Sequence, residues 1–512
     1  MKIKYYSLFL LISISVLQAK TLPNVILMMA DDLGWGDVGF NGNKIIKTPH
    51  LDEMAREGVS LTQFYSVGPV CSPTRAAVLT GRHNFRTAIW SANTGHLRRE
   101  EITIAEAAKS KGYVTGHFGK WHLGTLSRTM SSKGESRKPA ENYSPPWDHG
   151  YDRSFVVESS VSTWDPGGKG NKNKNPFYDD GVPLDPNDPD SNLKGGAGRV
   201  VMDRVIPFIE KAVDSDKPFL AVIWFNAPHE PIRAGPSYLA MYPNTGDSAQ
   251  YYGCITEMDE QVGRLQAKLK KLGIYDNTLQ VFCSDNGPEG NDPDFGDRQA
   301  GVTGGFRGRK SSCYEGGVRV PALAVWPGQI KAGSVVNSAV CTYDYMPTIA
   351  EIMGYQMPDQ RILDGENMLP VIRGEADRTK SIPFRHKGRA WLVKGSYKMI
   401  INSITETKSD EIYDLSRDAY ETENINASSP ELALAMRKEI LAFLDSLKES
   451  YEGADYGIEA YKPLGEWHEL GVAPASALNA KEKAEKLAKR EKKKEKKEKK
   501  EKREKEQEGN AE

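Results

Sequence analysis

The sequence predicts an α/β fold: a β-sheet covered on both faces by helices, followed by a smaller C-terminal α+β domain with an antiparallel sheet. Three observations carry this. Continuous apolar runs of strand length alternate with stretches of helical period. Polar residues suited to chemistry follow each apolar run at once. Near residue 376 the pattern gives way to closely spaced strands and one long helical stretch.

The apolar runs are "NVILMMA" (24–30), "YVTGHFG" (113–119), "PFLAVIWFN" (218–226) and "TLQVFCS" (278–284). They lack the in–out alternation of a half-exposed strand, so each reads as a strand buried on both faces. Between them "TIAEAAKSKG" is a helix with Thr103 at its start and Gly112 at its stop. "VVMDRVIPFIEKAV" and "YYGCITEMDEQVGRLQAKLKKLG" carry apolar residues at helical spacing. Residues 125–195 are rich in Gly, Pro, Asn, Lys and Asp, which predicts a long irregular insertion over the site. "RAWLVKGSYKMIIN" and "EIYDLSRD" read as antiparallel strands, and "SPELALAMRKEILAFLDSLKE" as the helix that follows them.

A chain of 512 residues exceeds one ordinary domain. The expected organisation is a leader over 1–19, a catalytic domain over 20–375, a small α+β domain over 376–470 and a charged tail over 471–512. The start, "MKIKYYSLFLLISISVLQAK", has two lysines, an apolar run and then Ala19. It reads as a secretory signal and implies export to periplasm or medium; an N-terminal membrane anchor is the competing reading. No later segment is apolar for long enough to span a membrane.

The net charge of −1 hides an asymmetry: from Lys481 onward there are 15 basic and 10 acidic residues, so the body is mildly acidic. Basicity therefore gives no argument for a nucleic-acid partner. The Lys/Glu-rich tail reads as a solvated helix or coil, with adhesion to anionic glycan as the alternative. The five cysteines are Cys71, Cys254, Cys283, Cys313 and Cys341. Their odd count leaves at least one unpaired, and their spacing suggests neither a disulfide framework nor a zinc site.

The polar residues beyond the strands set the chemistry. Asp31-Asp32, Lys120-Trp121-His122, His229 and Asp285-Asn286 follow the four strands in turn. In open α/β sheets ligands bind beyond the carboxyl ends of the strands. Asp31, Asp32, Asp285 and Asn286 offer hard oxygen donors suited to Ca²⁺ or Mg²⁺ rather than zinc. In "CSPTRAAVLTGR" Pro73 suits the first helical position with Ser72 as its cap. Cys71 then lies just before a helix N-terminus, where an anion is favoured, with Arg75 directed to the same place. Lys120 and Lys310 can neutralise an oxyanion, and His122 and His229 can move protons. In "GRKSSCYEGGVRVP" the paired Gly316-Gly317 suggest backbone in special conformations.

These motifs carry a resemblance. "ADDLGWGD", "CSPTRAAVLTGR", "GKWHLG", "APHEP", "SDNG" and "YEGGVRVP" stand in the order found in the formylglycine-dependent, arylsulfatase-like sulfatases of the alkaline phosphatase superfamily, and "YDLSRDAYETENI" fits as well. The similarity spans roughly residues 22–450. It implies a large mixed sheet sandwiched by helices, and conversion of Cys71 to Cα-formylglycine by a maturation enzyme. It implies one Ca²⁺ ion held by Asp31, Asp32, Asp285 and Asn286 beside residue 71. It assigns Arg75 to the formylglycine hydrate, Lys120 and Lys310 to the sulfate, His229 with Lys310 to the leaving oxygen, and His122 to sulfate release. Ser159 or Ser160 is the candidate for a pocket serine.

The activity this implies is that of an exported sulfuric ester hydrolase, with a sulfated carbohydrate as substrate. Trp147 and Trp164 could stack on sugar rings, and Arg98, Arg99, Arg385 and Arg389 could meet further anionic groups. The alternatives are a phosphatase or phosphodiesterase on the same scaffold, and an unmodified sulfoglycan-binding protein without turnover.

Overall fold

The computed structural model describes residues 22–168, 175–290, 301–458, 461–464, 467 and 470. The leader over 1–19 and the tail over 471–512 lie outside the described residues. No described helix is long and apolar enough to cross a membrane.

The strands are β1 (Asn24–Ala30), β2 (Val59–Leu61), β3 (Phe64–Tyr65), β4 (Val114–Lys120), β5 (Arg153–Val157), β6 (Phe177–Asp179), β7 (Val182–Pro183), β8 (Phe219–Trp224), β9 (Thr278–Ser284), β10 (Ala322–Val325), β11 (Ser334–Val336), β12 (Val340–Cys341), β13 (Ile382–His386), β14 (Arg389–Lys394), β15 (Tyr397–Ile401) and β16 (Glu411–Asp414). The helices are α1 (Pro49–Glu57), α2 (Cys71–Thr80), α3 (Ile104–Ser110), α4 (Ala197–Asp214), α5 (Pro236–Leu239), α6 (Ser248–Lys271), α7 (Glu315–Val318), α8 (Tyr345–Met353), α9 (Leu369–Ile372) and α10 (Pro430–Tyr451).

Ten strands form one mixed sheet in the order β11-β2-β10-β9-β1-β8-β4-β5-β6-β7. Its centre, β9-β1-β8-β4-β5, is parallel, while β10 runs antiparallel to β9 and β6 to β5. The four apolar runs occupy the four central places, and every residue of β1, β8 and β9 is buried. Alternate side chains of β1 serve different cores. Val25, Leu27 and Met29 pack with α2, α3 and α8, whereas Ile26, Met28 and Ala30 pack with α1, α4 and α6. The period of two in a strand thus becomes two helical layers. Thr103 and Glu106 close a reciprocal capping box at the start of α3, as "TIAE" suggests.

The irregular reading of 125–195 is corrected. That segment supplies β5, β6 and β7, which extend the sheet at one edge. These strands have five, three and two residues, too short for a periodic signal, and Phe155 stacks on Phe177 at 4.9 Å to join the first two.

Strands β13–β16 form the separate antiparallel sheet. One face packs on α10 through Leu392, Met399, Ile412, Ile440 and Leu444. The other face, with Phe384, Trp391 and Ile400, packs on Tyr65, Cys313 and Tyr343 of the larger body. Lys398 on β15 is fully buried and bonds Glu315 at 2.9 Å and Glu421 at 2.8 Å. Glu315 opens α7, so this pair ties the small sheet to the loop that carries Lys310.

Candidate active site

The parallel strands deliver their polar successors to one edge of the sheet. Asp31 and Asp32 leave β1, Asp285 and Asn286 leave β9, Lys120 ends β4, and His229 lies in the turn after β8. Asp32 adopts φ +67° and His122 φ +61°. Such left-handed backbone is costly for non-glycine residues and concentrates at functional positions.

Helix α2 brings Cys71 and Arg75 to the same edge. The expected cap is corrected: the helix begins at Cys71 itself, with Val70 as N-cap and no side-chain cap. Ser72 is engaged elsewhere, its hydroxyl donating to the His122 carbonyl at 2.7 Å. That bond holds the loop after β4 against the first turn of α2. The helix stops at Gly81, φ +68°, as expected.

Three carboxylates face three cations. Arg75 donates to Asp285 Oδ2 from Nε at 3.1 Å and Nη2 at 2.6 Å, and lies 3.4 Å from Asp31. Its guanidinium rests 5.0 Å over the ring of Trp224. Lys120 donates to Asp31 at 2.7 Å, and Lys310 to Asp32 at 2.6 Å. Asp31, Asp285, Arg75 and Lys120 are inaccessible to solvent. Burial alone would raise Asp31, but Lys120, then His229 and Arg75, outweigh it and bring the carboxyl down to about 2. Burial likewise opposes the charge of Lys310, yet Asp32 holds its amine well above the ordinary value.

Cys71 Sγ lies 3.6 Å from Asp31 Oδ1. Burial pushes its thiol far above the ordinary range; Asp285 adds to this, and Lys120 and Lys310 do not offset it. Donor atoms of Asp31, Asp32, Cys71 and His229 lie within 4.8 Å of one another. Asn286 Nδ2 donates to Asp32 at 2.7 Å, while Asn286 Oδ1 is buried with no hydrogen-bond partner among the described residues. Asp285 is not in that group; its Oδ1 accepts the Asp32 amide at 3.1 Å.

The histidines differ in tautomer. His229 Nδ1 lies 2.6 Å from the Glu230 carbonyl, which can only accept, so Nδ1 carries a proton and Nε2 faces Asp32 at 3.6 Å. His122 Nε2 lies 2.9 Å from Asn93 Oδ1, while its Nδ1 is buried and unpartnered. Burial, then Lys120 and Arg75, keep the His122 ring neutral. The sequence reading missed Asn93, whose loop has no strand, helix or metal-ligand signature.

Of the two serines, Ser160 is the one beside Lys120, with 3.5 Å between Oγ and Nζ; Ser159 turns to Ser132. Gly316 and Gly317 are corrected in their reason. They sit in α7 without positive φ, but a Cβ would meet the Gly308 carbonyl at 2.1 Å and the Ser312 carbonyl at 2.3 Å. Close backbone approach, not unusual dihedrals, demands glycine there.

The outer candidates divide. Trp147 packs against the core and Tyr178, and Trp164 covers Gly235 and Tyr238. Arg98 is buried against Tyr461, Arg385 against Phe85 and Trp467, and Arg99 pairs with Asp148. Arg389 alone of the four lines a cavity beside Lys310.

Comparison with known proteins agrees with this geometry. The sulfatase family matches residues 23–355, and the C-terminal family of N-sulphoglucosamine sulphohydrolase matches residues 305–446. Steryl-sulfatase of Mus musculus is 32% identical over 444 residues, covering 72% of this chain and 68% of that protein. N-acetylgalactosamine-6-sulfatase of Sus scrofa is 30% identical over 406 residues, covering 73% of this chain and 71% of that protein. The solved structure of Ps i-CgsB in complex with k-i-k-neocarrahexaose is 27% identical with a TM-score of 0.70, covering 82% of this chain and 92% of that one. The chain belongs to the sulfatase family, the formylglycine-dependent sulfatases of the alkaline phosphatase superfamily, and hydrolyses sulfate esters.

Proposed function

We propose that this sulfatase is exported and releases inorganic sulfate from a sulfated carbohydrate, using Cys71 after its conversion to Cα-formylglycine. Residues 1–19 are the leader, 20–375 the catalytic domain, 376–470 the small domain and 471–512 a charged tail. The carbohydrate class is supported by relatives: one is named for N-acetylgalactosamine 6-sulfate, another holds a neocarrahexaose. The observation that carries the mechanism is the position of Cys71, in the first turn of a buried helix, 3.6 Å from Asp31 and beside Arg75.

The residues fit a calcium ion. Asp31, Asp32, Asp285 and Asn286 are buried oxygen donors, Asp285 and Asn286 each in contact with Asp32, and Asn286 Oδ1 has no hydrogen-bond partner among the described residues. When bound, calcium supplies Lewis-acid polarisation of the sulfate oxygens. A formylglycine hydrate supplies two hydroxyls on one carbon, one to attack sulfur and one to expel sulfate.

The chain's own side chains do the rest. Arg75, fixed by Asp285 and stacked on Trp224, orients residue 71. Lys120 and Lys310 direct two ammonium groups at the oxyanion, and both stay charged because carboxylates outweigh burial. His229 holds Nδ1–H on a carbonyl, so its doubly protonated imidazolium form presents Nε2–H to the leaving alcohol oxygen and is left neutral, with Nδ1 still protonated, after the transfer. His122 offers a bare Nδ1 in a neutral ring, the form a base needs to take the proton of the second hydroxyl. As the C–O bond to sulfate then breaks, its electron pair leaves with sulfate and the carbonyl is restored.

Two measurements test this. The tryptic peptide around residue 71, from protein made in a host with the maturation enzyme, should weigh about 18 Da less than the thiol form. Sulfate esters should turn over far faster than matched phosphate esters. An intact thiol in fully active protein would sink the mechanism.

A further inference from the structure

The cavity beside Lys310 has a volume of about 750 Å³ and is walled by two separate parts of the fold. One wall is the loop Gly308–Cys313, which carries Arg309 and Lys310; the other is the β13–β14 turn, His386-Lys387-Gly388-Arg389. Lys310 belongs to both places, since its amine reaches Asp32 at 2.6 Å. The cavity therefore adjoins the sulfate-processing centre at Lys310.

Its described lining is cationic. Arg309, Lys310, Lys387 and Arg389 line it, and among the described lining residues there is no carboxylate. Among the described residues Arg309 donates to the backbone carbonyls of Glu289 and Gly301. Arg389 donates to Cys313 Sγ at 3.1 Å, a thiol that burial keeps protonated. The Lys310 amine is held by Asp32 at 2.6 Å and lies 4.0 Å from Glu289. Two buried nitrogens of lining residues have no hydrogen-bond partner among the described residues: His386 Nε2, in a residue 5% exposed, and Trp391 Nε1, in one 1% exposed. Concave cationic walls with idle nitrogen atoms concentrate potential for an anion, and arginine adds bidentate geometry for an oxyanion.

We propose that this cavity is a second anion subsite, which holds a sulfate or carboxylate group of the same substrate molecule whose scissile sulfate lies at residue 71. The proposal rests on the carbohydrate reading and deepens it: the preferred substrate carries at least two negative groups, on neighbouring parts of one chain. Lys387 and Arg389 are its specificity residues. Both are exposed on a turn, so their replacement leaves the core intact.

The test uses full-length Cys71→Ala protein, which binds without turnover, and calorimetry with three galactan tetrasaccharides. One carries a single sulfate, one a sulfate on every ring, and one a single sulfate with uronate on the next ring. The fully sulfated ligand should bind at least about tenfold tighter than the monosulfated one, the effect expected of one charge-assisted contact. Adding Lys387→Ala and Arg389→Ala should abolish that ratio, and Lys387→Arg with Arg389→Lys should restore it. Uronate binding as tightly as the fully sulfated ligand supports recognition of charge alone; uronate binding like the monosulfate supports a subsite selective for sulfate. Equal affinity for the mono- and fully sulfated ligands, or a ratio that survives the double variant, overturns the subsite while leaving the carbohydrate reading standing. No binding of any of the three overturns both.

Discussion

Asn93→Ala should cripple sulfate release while sparing substrate binding. Among the described residues the partner of His122 Nε2 is Asn93 Oδ1 at 2.9 Å, and this bond keeps the proton off Nδ1. Without it the buried Nε2–H loses its acceptor, which costs about 1–3 kcal/mol. The imidazole then places its proton on Nδ1 in part of the population, where it can no longer act as base. At about 1.4 kcal/mol per factor of ten, kcat falls by about 5- to 140-fold. Because His122 acts only after the alcohol has left, a rapid-quench experiment should show an undiminished burst of alcohol followed by slow turnover, with KM not raised. Asn93→Asp keeps an acceptor and adds a negative charge that favours the protonated ring, so it should move the acidic-limb pKa of the kcat profile upward rather than abolish turnover. An Asn93→Ala enzyme with unchanged kcat, or one that loses the burst, would refute the assignment of His122 Nδ1 as the base.

Three further outcomes are expected. Lys398→Met leaves Glu315 and Glu421 buried without their cation; it should cost about 3–5 kcal/mol in urea unfolding and loosen the loop of Lys310. Burial holds His149 and His386 down to about 3 in the fold, below the unfolded value. Their stabilisation is therefore complete above the unfolded pKa of about 6.5 and is lost as pH falls from there toward 3, by about 1 kcal/mol per residue at pH 5.5. His149→Gln should remove its share of that slope in urea melts at pH 7.5 and 5.5. A chelator should lower the thermal midpoint of the protein and added calcium restore it, and Asn286→Leu should abolish the response.

The central sheet was legible because burial on both faces writes strands as unbroken apolar runs, and "NVILMMA" and "TLQVFCS" match β1 and β9 residue for residue. The convergence of Asp31, Asp32, Lys120, His229, Asp285 and Asn286 was legible for the same reason, since parallel strands send their successors to one edge. What stayed hidden depends on contacts between segments. Strands β5–β7 are short and borrow their stability from pairing and from Phe155 on Phe177. Ser72 has the right chemistry for a cap, yet a carbonyl 50 positions away claims its hydroxyl. Asn93 is an ordinary loop residue until the fold sets it against His122. Arg98, Arg99, Arg385 and Arg389 are alike in sequence, and only tertiary packing separates the buried from the cavity-lining.

The same contacts explain why a thiol can be carried safely at such a place. All five cysteines are buried and unpaired, so the chain has no disulfide framework to draw Cys71 into exchange. Reactivity toward electrophiles requires thiolate, and burial with Asp285 and Asp31 nearby makes thiolate unfavourable at residue 71. The carboxylates that fit a hard cation therefore also silence the thiol beside them. A thiol so suppressed is a poor nucleophile for sulfur, whereas an uncharged hydrate at the same point needs no deprotonation in advance and meets Arg75 and two ammonium groups already aimed at it. The proposed mechanism accordingly puts an oxygen nucleophile at residue 71, where burial and the neighbouring carboxylates disfavour the reactive form of the sulfur.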